Sequence, residues 1–370
     1  MRQLTISDGR ASLRVSELCL GTMYFGYRTG EATAFAILDR FLEAGGTFLD
    51  TANNYGQWHG EAGESERVIG RWMRSRGVAG TMIVATKVGA RTTVPGDPDS
   101  RHWQGLAARV IREDAETSLR NLGVDRLDLY YAHIDDRSAP LAETVDALAS
   151  LAESGKAGLL GASNTATWRI ERARSLVRAA GRPGYSCVQQ QHTYLLAQPE
   201  PGQLNLIAEE LLDYARSEQL TLLAYSPLLA GAYAHPDRSV PATFQHAANH
   251  ARLATLRDVA AEHGATPNQV VLAWLLNCQP AIIPVPGASS VAQLDEILAA
   301  TELKLNAATL DRLDKAGRFA IGAFLCPNPS LCSEPDPASA RLSPVVTRGR
   351  VTPSRWWLAA RSRLAVWRGI

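Results

Sequence analysis

The chain has 370 residues, 46% of them hydrophobic and 20% charged, which is enough apolar material for a large buried core. This composition excludes a disordered or fibrous chain. Lysine and arginine number 38 against 37 acidic residues, and the resulting net charge of +1 gives no general attraction to nucleic acid or acidic lipid, so we expect neither as a partner.

The N-terminus is not expected to carry a targeting signal. Its first 20 residues contain five charged side chains and no apolar stretch of signal-peptide length. No later segment reaches the roughly 20 apolar residues of a membrane span. The five cysteines are widely spaced and odd in number, which is typical of buried free thiols. We therefore expect a cytoplasmic protein.

The first predicted element is a β-hairpin. Gln3–Ile6 and Ser12–Val15 flank Asp8-Gly9, a strong hairpin-turn signal. If the following strands form a barrel, such a hairpin is suited to close the end of the barrel at which the strands begin.

Eight short β-rich apolar runs follow, each succeeded by an amphipathic stretch of helical period. The predicted strands are Leu18–Leu20, Phe48–Asp50, Ile83–Thr86, Leu127–Tyr130, Gly158–Gly161, Cys187–Gln189, Thr221–Tyr225 and Ile282–Val285. The predicted helices are Thr33–Glu43, Glu64–Arg74, Leu106–Asn121, Leu141–Ser154, Thr167–Ala179, Asn205–Glu218, Leu253–Leu276 with a break near Gly264, and Val291–Ala299.

Eight strand-helix units predict an α/β fold, a (β/α)8 TIM barrel with an N-terminal β-hairpin and an irregular C-terminal extension. The doubly wound alternative requires a glycine-rich turn after its first strand, and the sequence has no GxGxxG motif. We place the barrel domain at residues 1–319. Residues 320–370 form a separate tail rich in proline and arginine.

This tail is strongly basic. After Asp336 there are seven arginines and no acidic residue, and subtracting these seven charges from the net +1 leaves −6 on residues 1–336. The prolines predict an irregular chain up to Arg355, and the segment from Trp356 to Trp367 has the pattern of a short basic amphipathic helix. A mobile terminus is the simpler alternative.

Chemistry-bearing residues stand where three neighbouring strands end. Asp50 ends the second strand with Tyr55 five residues on, Lys87 follows the third strand, and His133 follows the fourth. The C-terminal strand ends of a barrel meet at one mouth, so we expect these four side chains to converge.

The four residue types suit the reduction of a carbonyl group. Tyrosine is a weak acid unless a nearby cation favours its phenolate, and Lys87 is that cation. Asp50 holds the buried ammonium and compensates its charge. His133 orients the substrate oxygen toward Tyr55, which donates the proton.

Eight ordered motifs resemble the aldo-keto reductase superfamily over residues 1 to about 317. They begin with Gly21-Thr22-Met23, the segment from Phe48 to Gly56, and Gly63-Glu64-Ser65-Glu66. They continue with Val84-Ala85-Thr86-Lys87, Asp128-Leu129-Tyr130-Tyr131-Ala132-His133, Gly161-Ala162-Ser163-Asn164, Ala224-Tyr225-Ser226-Pro227-Leu228 and Ile283-Pro284-Val285-Pro286-Gly287.

The resemblance implies an NAD(P)H-dependent oxidoreductase that acts on CH–OH donors and carbonyl acceptors. It assigns Asp50, Tyr55, Lys87 and His133 to the catalytic tetrad. It assigns Ser163, Asn164 and a glutamine to the nicotinamide carboxamide; Gln189 is preferred by strand length, with Gln190 as the alternative. It assigns Tyr225 to nicotinamide stacking, and further cofactor contacts to Gly21, Thr22, Asp50, Ser226, Pro227, Leu228, Gly287, Ser289, Gln293 and Glu296.

The adenosine end departs from the family pattern. No lysine or arginine lies between Gly287 and Ile297, and Ile297 replaces the usual asparagine after Glu296. Backbone amides at a helix N-terminus can still hold a phosphate. NADPH is the expected cofactor, and NADH stays an alternative.

The substrate pocket is predicted to have an aromatic rim. Tyr24, Trp58, Trp103 and His133 are the candidate contacts, with Phe25, Tyr27, His59, His102, Tyr233 and His235 nearby. This lining suits a small ring-bearing or sugar-like carbonyl. No cluster of His, Cys or carboxylates has ligand spacing, so we assign no metal.

Two alternatives to a reductase remain. Channel-associated members of the superfamily bind nicotinamide and act partly as sensors, so the chain could be a cofactor-binding module with little turnover. A structural barrel with the basic tail as its partner-binding element is the third hypothesis. The family also closes its pocket with a C-terminal segment, which makes Phe319–Cys332 a candidate lid.

Overall fold

A computed structural model of the chain describes residues 1–317 except 98, 199–202, 204 and 236. Its first element is the predicted hairpin, in which β1 (Gln3–Ser7) and β2 (Ser12–Ser16) pair antiparallel. Gly9 turns the chain with a φ of +83°, a conformation that glycine adopts without strain. Ile6 and Val15 are fully buried against the inside of the barrel, so the hairpin forms its plug.

Eight parallel strands form the barrel, and the predicted fold class is confirmed. Neighbours in the chain are neighbours in the sheet, and the ring closes where the Gly21 amide donates to the Pro286 carbonyl at 2.9 Å. The strands are β3 (Cys19–Gly21), β4 (Phe48–Asp50), β5 (Ile83–Val88), β6 (Leu127–Ala132), β7 (Ala157–Ser163), β8 (Tyr185–Gln191), β9 (Thr221–Tyr225) and β10 (Ile282–Val285).

Helices surround the strands. They are α1 (Glu31–Glu43), α2 (Glu64–Arg76), α3 (Ala108–Leu122), α4 (Leu141–Glu153), α5 (Thr167–Ala179), α6 (Glu209–Ser217), α7 (Ala247–Glu262), α8 (Pro267–Leu275), α9 (Val291–Ala299) and α10 (Ala307–Lys315). The break expected near Gly264 separates α7 from α8. There Gly264 has a φ of +59°, and Thr266 and Gln269 form a capping box at the start of α8. Helix α10 was not predicted.

Apolar side chains form two layers of core. One fills the space between strands and helices, and the other fills the barrel interior, where Phe48, Leu129 and Leu223 meet residues of the hairpin. Apolar side chains therefore fill the barrel interior next to the hairpin, and the polar groups lie at the C-terminal ends of the strands.

Long connections follow β5 and β9 at that same end. The first contains a short 3-10 helix at Ser100–His102, and the second contains two, at Leu229–Gly231 and Ala242–Phe244. Residues 320–370 and the candidate lid Phe319–Cys332 lie outside the described residues, so the predicted domain division stays a prediction. Among the residues that the structure describes, no helix is both long enough and apolar enough to cross a membrane.

Candidate active site

A buried lysine lies at the centre of the mouth. The ammonium of Lys87 donates to Asp50 Oδ2 at 2.5 Å, to the Thr51 carbonyl at 2.8 Å and to the Tyr55 hydroxyl at 3.2 Å. The ring of His133 faces the Tyr55 ring edge-on, with centroids 6.1 Å apart. The structure therefore brings together the four side chains that the sequence analysis grouped.

The loop after β4 places Tyr55 over this lysine. The Tyr55 amide donates to the Ala52 carbonyl, and its own carbonyl accepts from the Glu64 amide at the start of α2. Gly56 follows with a φ of +103°, and a Cβ there would lie 2.7 Å from the Glu61 carbonyl oxygen. Only glycine lets the chain turn away at this point, which keeps the tyrosine ring aimed into the barrel.

Burial sets the protonation states. Burial would lower the pKa of Lys87, but the charge of Asp50, together with the Tyr55 hydroxyl once it ionises, raises it, so the lysine stays an ammonium. Burial raises the pKa of Tyr55, and Lys87 only partly offsets this. The phenol therefore keeps its proton at neutral pH. Burial, with a smaller effect from Lys87, lowers the pKa of His133 well below its usual value, so its imidazole is neutral.

The glutamines of β8 point to opposite faces of the strand. Gln189 points into the barrel, and its amide donates to Asp50 Oδ1 at 2.7 Å, while Gln190 donates to the Thr165 carbonyl at 2.8 Å. By the two-residue period of a strand, Gln191 faces the same way as Gln189 but lies nearer the mouth, level with Tyr225. The sequence analysis did not single out Gln191, because three consecutive glutamines give no register.

A chain of polar side chains crosses the mouth. Asn164 has a φ of 53°, and its amide donates to the His133 carbonyl at 2.9 Å and to Ser163 Oγ at 3.1 Å. The Tyr225 hydroxyl donates to the Asn164 side-chain oxygen at 2.9 Å and accepts from Asn205 at 2.6 Å. The sequence analysis missed Asn205, because this residue belongs to no recognisable motif. Only the folded chain brings it to Tyr225.

The connection after β9 is strained. Ser226, Leu229 and Ala230 have φ values of 51°, 46° and 55°, and none of them is a glycine. Such residues cost about 1–3 kcal/mol each and cluster at ligand clamps. Thr193 anchors the loop by donating to the Pro227 carbonyl at 2.6 Å. This strained turn fits the pyrophosphate contact that the resemblance implies for Ser226, Pro227 and Leu228.

The segment after β10 is ordered by its own contacts. Ser289 Oγ donates to the Gln293 side chain at 2.9 Å, and Ser290 caps α9. Glu296 accepts from Thr266 at 2.7 Å and from Asn268 at 3.2 Å. A cation reaches this helix from elsewhere, because Arg40 of α1 donates to Asp295 at 2.8 Å. The sequence analysis missed Arg40, which is 255 residues away along the chain.

Aromatic side chains lie on one side of the mouth. The ring of Tyr27 stacks on His59 at 5.2 Å and meets Tyr24 edge-on at 5.8 Å, and Trp58 is half-buried beside them in the sequence. The backbone of Trp103 forms an isolated antiparallel β-bridge with Thr92 in the connection after β5. Gln57 holds that connection to the Tyr55 loop by accepting from the Thr92 amide at 2.9 Å.

Comparison with known proteins identifies the family. The profile of the Aldo/keto reductase family matches residues 17–318, which is most of the chain and includes every residue of the mouth. The chain belongs to the aldo-keto reductase family. It is therefore an oxidoreductase, and its family acts on small carbonyl compounds with a nicotinamide cofactor.

Several named proteins resemble this aldo-keto reductase. The oxidoreductase YrpG of Bacillus subtilis (strain 168) is 36% identical over 83% of this chain and 93% of its own. The norsolorinic acid reductase stcV of Emericella nidulans is 30% identical over 92% of this chain and 89% of its own. The aryl-alcohol dehydrogenase GME11368 of Pestalotiopsis microspora is 29% identical over 84% and 81%, respectively.

The described part of residues 1–317 holds no group of three or more His, Cys, Asp or Glu side chains placed to bind a metal ion. The catalytic and cofactor roles of the individual residues stay predictions.

Proposed function

We propose that this aldo-keto reductase uses NAD(P)H to reduce an aldehyde or ketone to an alcohol, with Tyr55 as the general acid. The observation that carries the proposal is the Lys87 ammonium, which is fully buried and donates to both Asp50 and the Tyr55 hydroxyl. A buried ammonium next to a phenol stabilises the phenolate that forms when the proton leaves.

The proton chemistry follows from these positions. Because Tyr55 keeps its proton at neutral pH, it can donate that proton to a carbonyl oxygen as negative charge develops there. The neutral imidazole of His133 orients the oxygen by a hydrogen bond. A reduced nicotinamide, when bound, supplies the hydride. In the reverse direction the same phenolate takes the proton from an alcohol.

The proposed cofactor site follows the family pattern. Ser163, Asn164 and Tyr225 would hold and stack against the nicotinamide. Gln189 would be the third carboxamide partner, because a glutamine amide has a second N–H and an oxygen beyond the one N–H that it donates to Asp50. Gly21, Thr22, Ser226, Pro227, Leu228, Gly287, Ser289, Gln293 and Glu296 would contact the remaining cofactor.

NADPH is the proposed cofactor, with NADH as its competitor. Ser289 and Ser290 lie at the N-terminus of α9, whose backbone amides favour a phosphate. The segment from Gly287 to Ile297 itself lacks a cation, which reduces the expected discrimination between the two cofactors.

An aromatic carbonyl is the proposed substrate class. The Tyr27 ring stacks on His59 and meets Tyr24 edge-on at the mouth. Trp58 and Trp103 are carried by the loops beside Tyr55. Flat rings bind well against such surfaces. The name of one relative, an aryl-alcohol dehydrogenase, agrees with an aromatic carbonyl.

The test begins with titration of the full chain with NADPH and NADH, followed by intrinsic tryptophan fluorescence. Benzaldehyde and substituted aryl aldehydes are then added, and the absorbance of the reduced nicotinamide is recorded. We expect NADPH to bind saturably and to be oxidised when at least one aryl aldehyde is added. Linear aliphatic aldehydes serve as the matched control panel.

Two results would contradict the proposal. If neither cofactor binds, the barrel does not perform nicotinamide chemistry. If a cofactor binds and no carbonyl compound is turned over, the sensor hypothesis replaces the reductase.

A further inference from the structure

The connection after β5 begins and ends in two paired backbone segments, residues 89–93 and 102–105, which we call the arm base. Backbone hydrogen bonds of 2.7 to 3.1 Å join the two segments. The arm base starts two residues after Lys87 and carries Trp103, a candidate substrate contact. Its position therefore affects how a substrate ring reaches Tyr55.

A single buried carboxylate joins the arm base to the loop that carries Tyr55. Asp114 of α3 is 2% exposed, and its Oδ1 accepts from the Arg91 guanidinium at 2.8 Å. Its Oδ2 accepts from the side-chain amide of Asn53 at 2.7 Å. Arg91 belongs to the arm base, and Asn53 lies two residues before Tyr55. Each carboxylate oxygen therefore holds one of the two segments.

We propose that Asp114 is a positioning residue that holds the arm base against the Tyr55 loop and thereby determines the selectivity between aryl and linear aliphatic carbonyl compounds. This inference rests on the proposed function, because it concerns the substrate side of the same mouth. Asp114 lies on a helix outside the barrel and acts through Arg91 and Asn53, so it is not a catalytic residue.

Both donors are also fixed by contacts other than Asp114. The Arg91 Nε donates to the Gln104 side-chain oxygen at 3.1 Å, so the guanidinium also ties together the two segments of the arm base. The Asn53 backbone amide donates to the Lys87 carbonyl at 3.2 Å, which fixes Asn53 to the end of β5. Because neither donor is on a free segment, the Asp114 carboxylate sets the distance between the arm base and the Tyr55 loop.

Gln57 provides a second link between the same two segments. Its side chain is 6% exposed, accepts from the Thr92 amide at 2.9 Å and donates to the Ala90 carbonyl at 3.3 Å. Loss of the Asp114 link therefore leaves the arm base attached at Gln57 but able to tilt about it. We expect the consequence to be a change of selectivity and not a loss of the fold.

An aromatic substrate depends more on the position of the arm base than an aliphatic one does. Two aromatic rings attract each other only over a narrow range of centroid distances and angles. A linear aliphatic chain has no ring to align with Trp103, so tilting of the arm base costs it less affinity.

The variants Arg91→Met and Asp114→Asn test the proposal. Arg91→Met removes the guanidinium on the arm base, and Asp114→Asn keeps the shape of the side chain but removes its charge and one acceptor oxygen. The kcat/KM values for benzaldehyde and for hexanal are measured with NADPH in the same preparation, because their ratio does not depend on the fraction of folded protein.

We expect the ratio of benzaldehyde to hexanal to fall by about three- to tenfold in each variant. The change should come from a higher KM for benzaldehyde, with its kcat and the Kd for NADPH within about twofold of the wild type. If Asp114→Asn does not fold, Arg91→Met carries the test, because the Arg91 side chain is 30% exposed and its removal disturbs the core less.

Two controls separate positioning from general damage. Arg101→Met makes the same substitution in the same connection but beyond the arm base, where the side chain is 82% exposed and pairs with Asp99; its ratio should match the wild type. The double variant Arg91→Met/Asp114→Asn should have a ratio no lower than the lower of the single variants, because both substitutions break one contact.

Three results would overturn the inference. An unchanged ratio in Arg91→Met with a lower melting temperature makes the contact purely structural, and an unchanged ratio with tenfold weaker NADPH binding makes it part of the cofactor site. Losses that add in the double variant mean that Arg91 and Asp114 act separately. Failure of the proposed function is distinct, because a wild-type protein that oxidises NADPH with no aldehyde rejects the reductase itself.

Discussion

At the scale of single residues, protonation states decide what the mouth can do. Tyr55 keeps its proton and His133 stays neutral because both are buried, while Lys87 stays charged because Asp50 accompanies it. A donor, a hydrogen-bonding orienter and a fixed cation are what a carbonyl oxygen needs as it becomes an alkoxide.

The Lys87 and Asp50 pair is expected to support the fold as well as the chemistry. Lys87→Met leaves a buried carboxylate with one partner, and breaking such pairs costs about 3–5 kcal/mol of unfolding free energy. Urea unfolding measures this loss. The control is Lys156→Met at a half-exposed ion pair with Glu116, which should cost at most about 1 kcal/mol. Equal losses of unfolding free energy in the two variants would show that the buried pair stabilises the fold no more than a surface ion pair does.

At the scale of elements, the hairpin and the strand ends act at opposite ends of the barrel. The plug packs Ile6 and Val15 under the interior side chains, whereas the catalytic groups lie beyond the other ends of the strands. Stability and chemistry are thus separable along the barrel axis.

Ile6→Ala tests that separation. It removes three carbons of a fully buried side chain, which costs about 2–5 kcal/mol when a cavity is left. We expect the denaturation midpoint to fall while the turnover of an aryl aldehyde at 20 °C stays within twofold. Thr5→Ala, at an exposed position of the same strand, should leave both unchanged. A large loss of turnover in Ile6→Ala would mean that the plug also shapes the mouth.

Much of this architecture can be predicted from the sequence because it is local. The strands Phe48–Asp50, Thr221–Tyr225 and Ile282–Val285 match residue for residue, and Gly264 and Pro267 mark the break between α7 and α8. Helix α10 was missed because it lies after the eight repeating units, where the barrel pattern gives no further expectation.

The candidate site is only partly local. The tetrad could be grouped because its members follow three consecutive strands, and parallel strands end together. The Gln189 contact to Asp50, the Asn205 contact to Tyr225 and the Arg40 contact to Asp295 join distant parts of the chain. No local spacing encodes them, because they depend on strand register and on loop paths.

At the scale of the whole molecule, a partly buried histidine makes stability depend on pH. His192 packs on the Trp274 ring at 5.8 Å, and burial, with Arg252, lowers its pKa to about 4. Between pH 6.5 and 4 the unfolded chain takes up a proton that the folded chain excludes. The unfolding free energy therefore falls with decreasing pH by about 1.4 kcal/mol per unit from this residue.

His192→Gln removes this effect. The unfolding free energies of the wild type and the variant are measured with urea at pH 7.5 and at pH 5. The difference between them, wild type minus variant, should be about 2 kcal/mol smaller at pH 5. His250→Gln, at an exposed histidine, is the control, and its difference should not change. A constant difference for His192→Gln would mean that the folded chain protonates this ring freely.

The central claim is that Tyr55 is the proton donor on a nicotinamide-binding barrel, and one measurement tests it most directly. Tyr55→Phe keeps the ring and removes the hydroxyl that Lys87 contacts. We expect the single-turnover rate of aryl-aldehyde reduction to fall by about 10²- to 10⁴-fold, while the Kd for NADPH stays within threefold of the wild type. A near-native rate in this variant would contradict the account, because the proton would then come from another group.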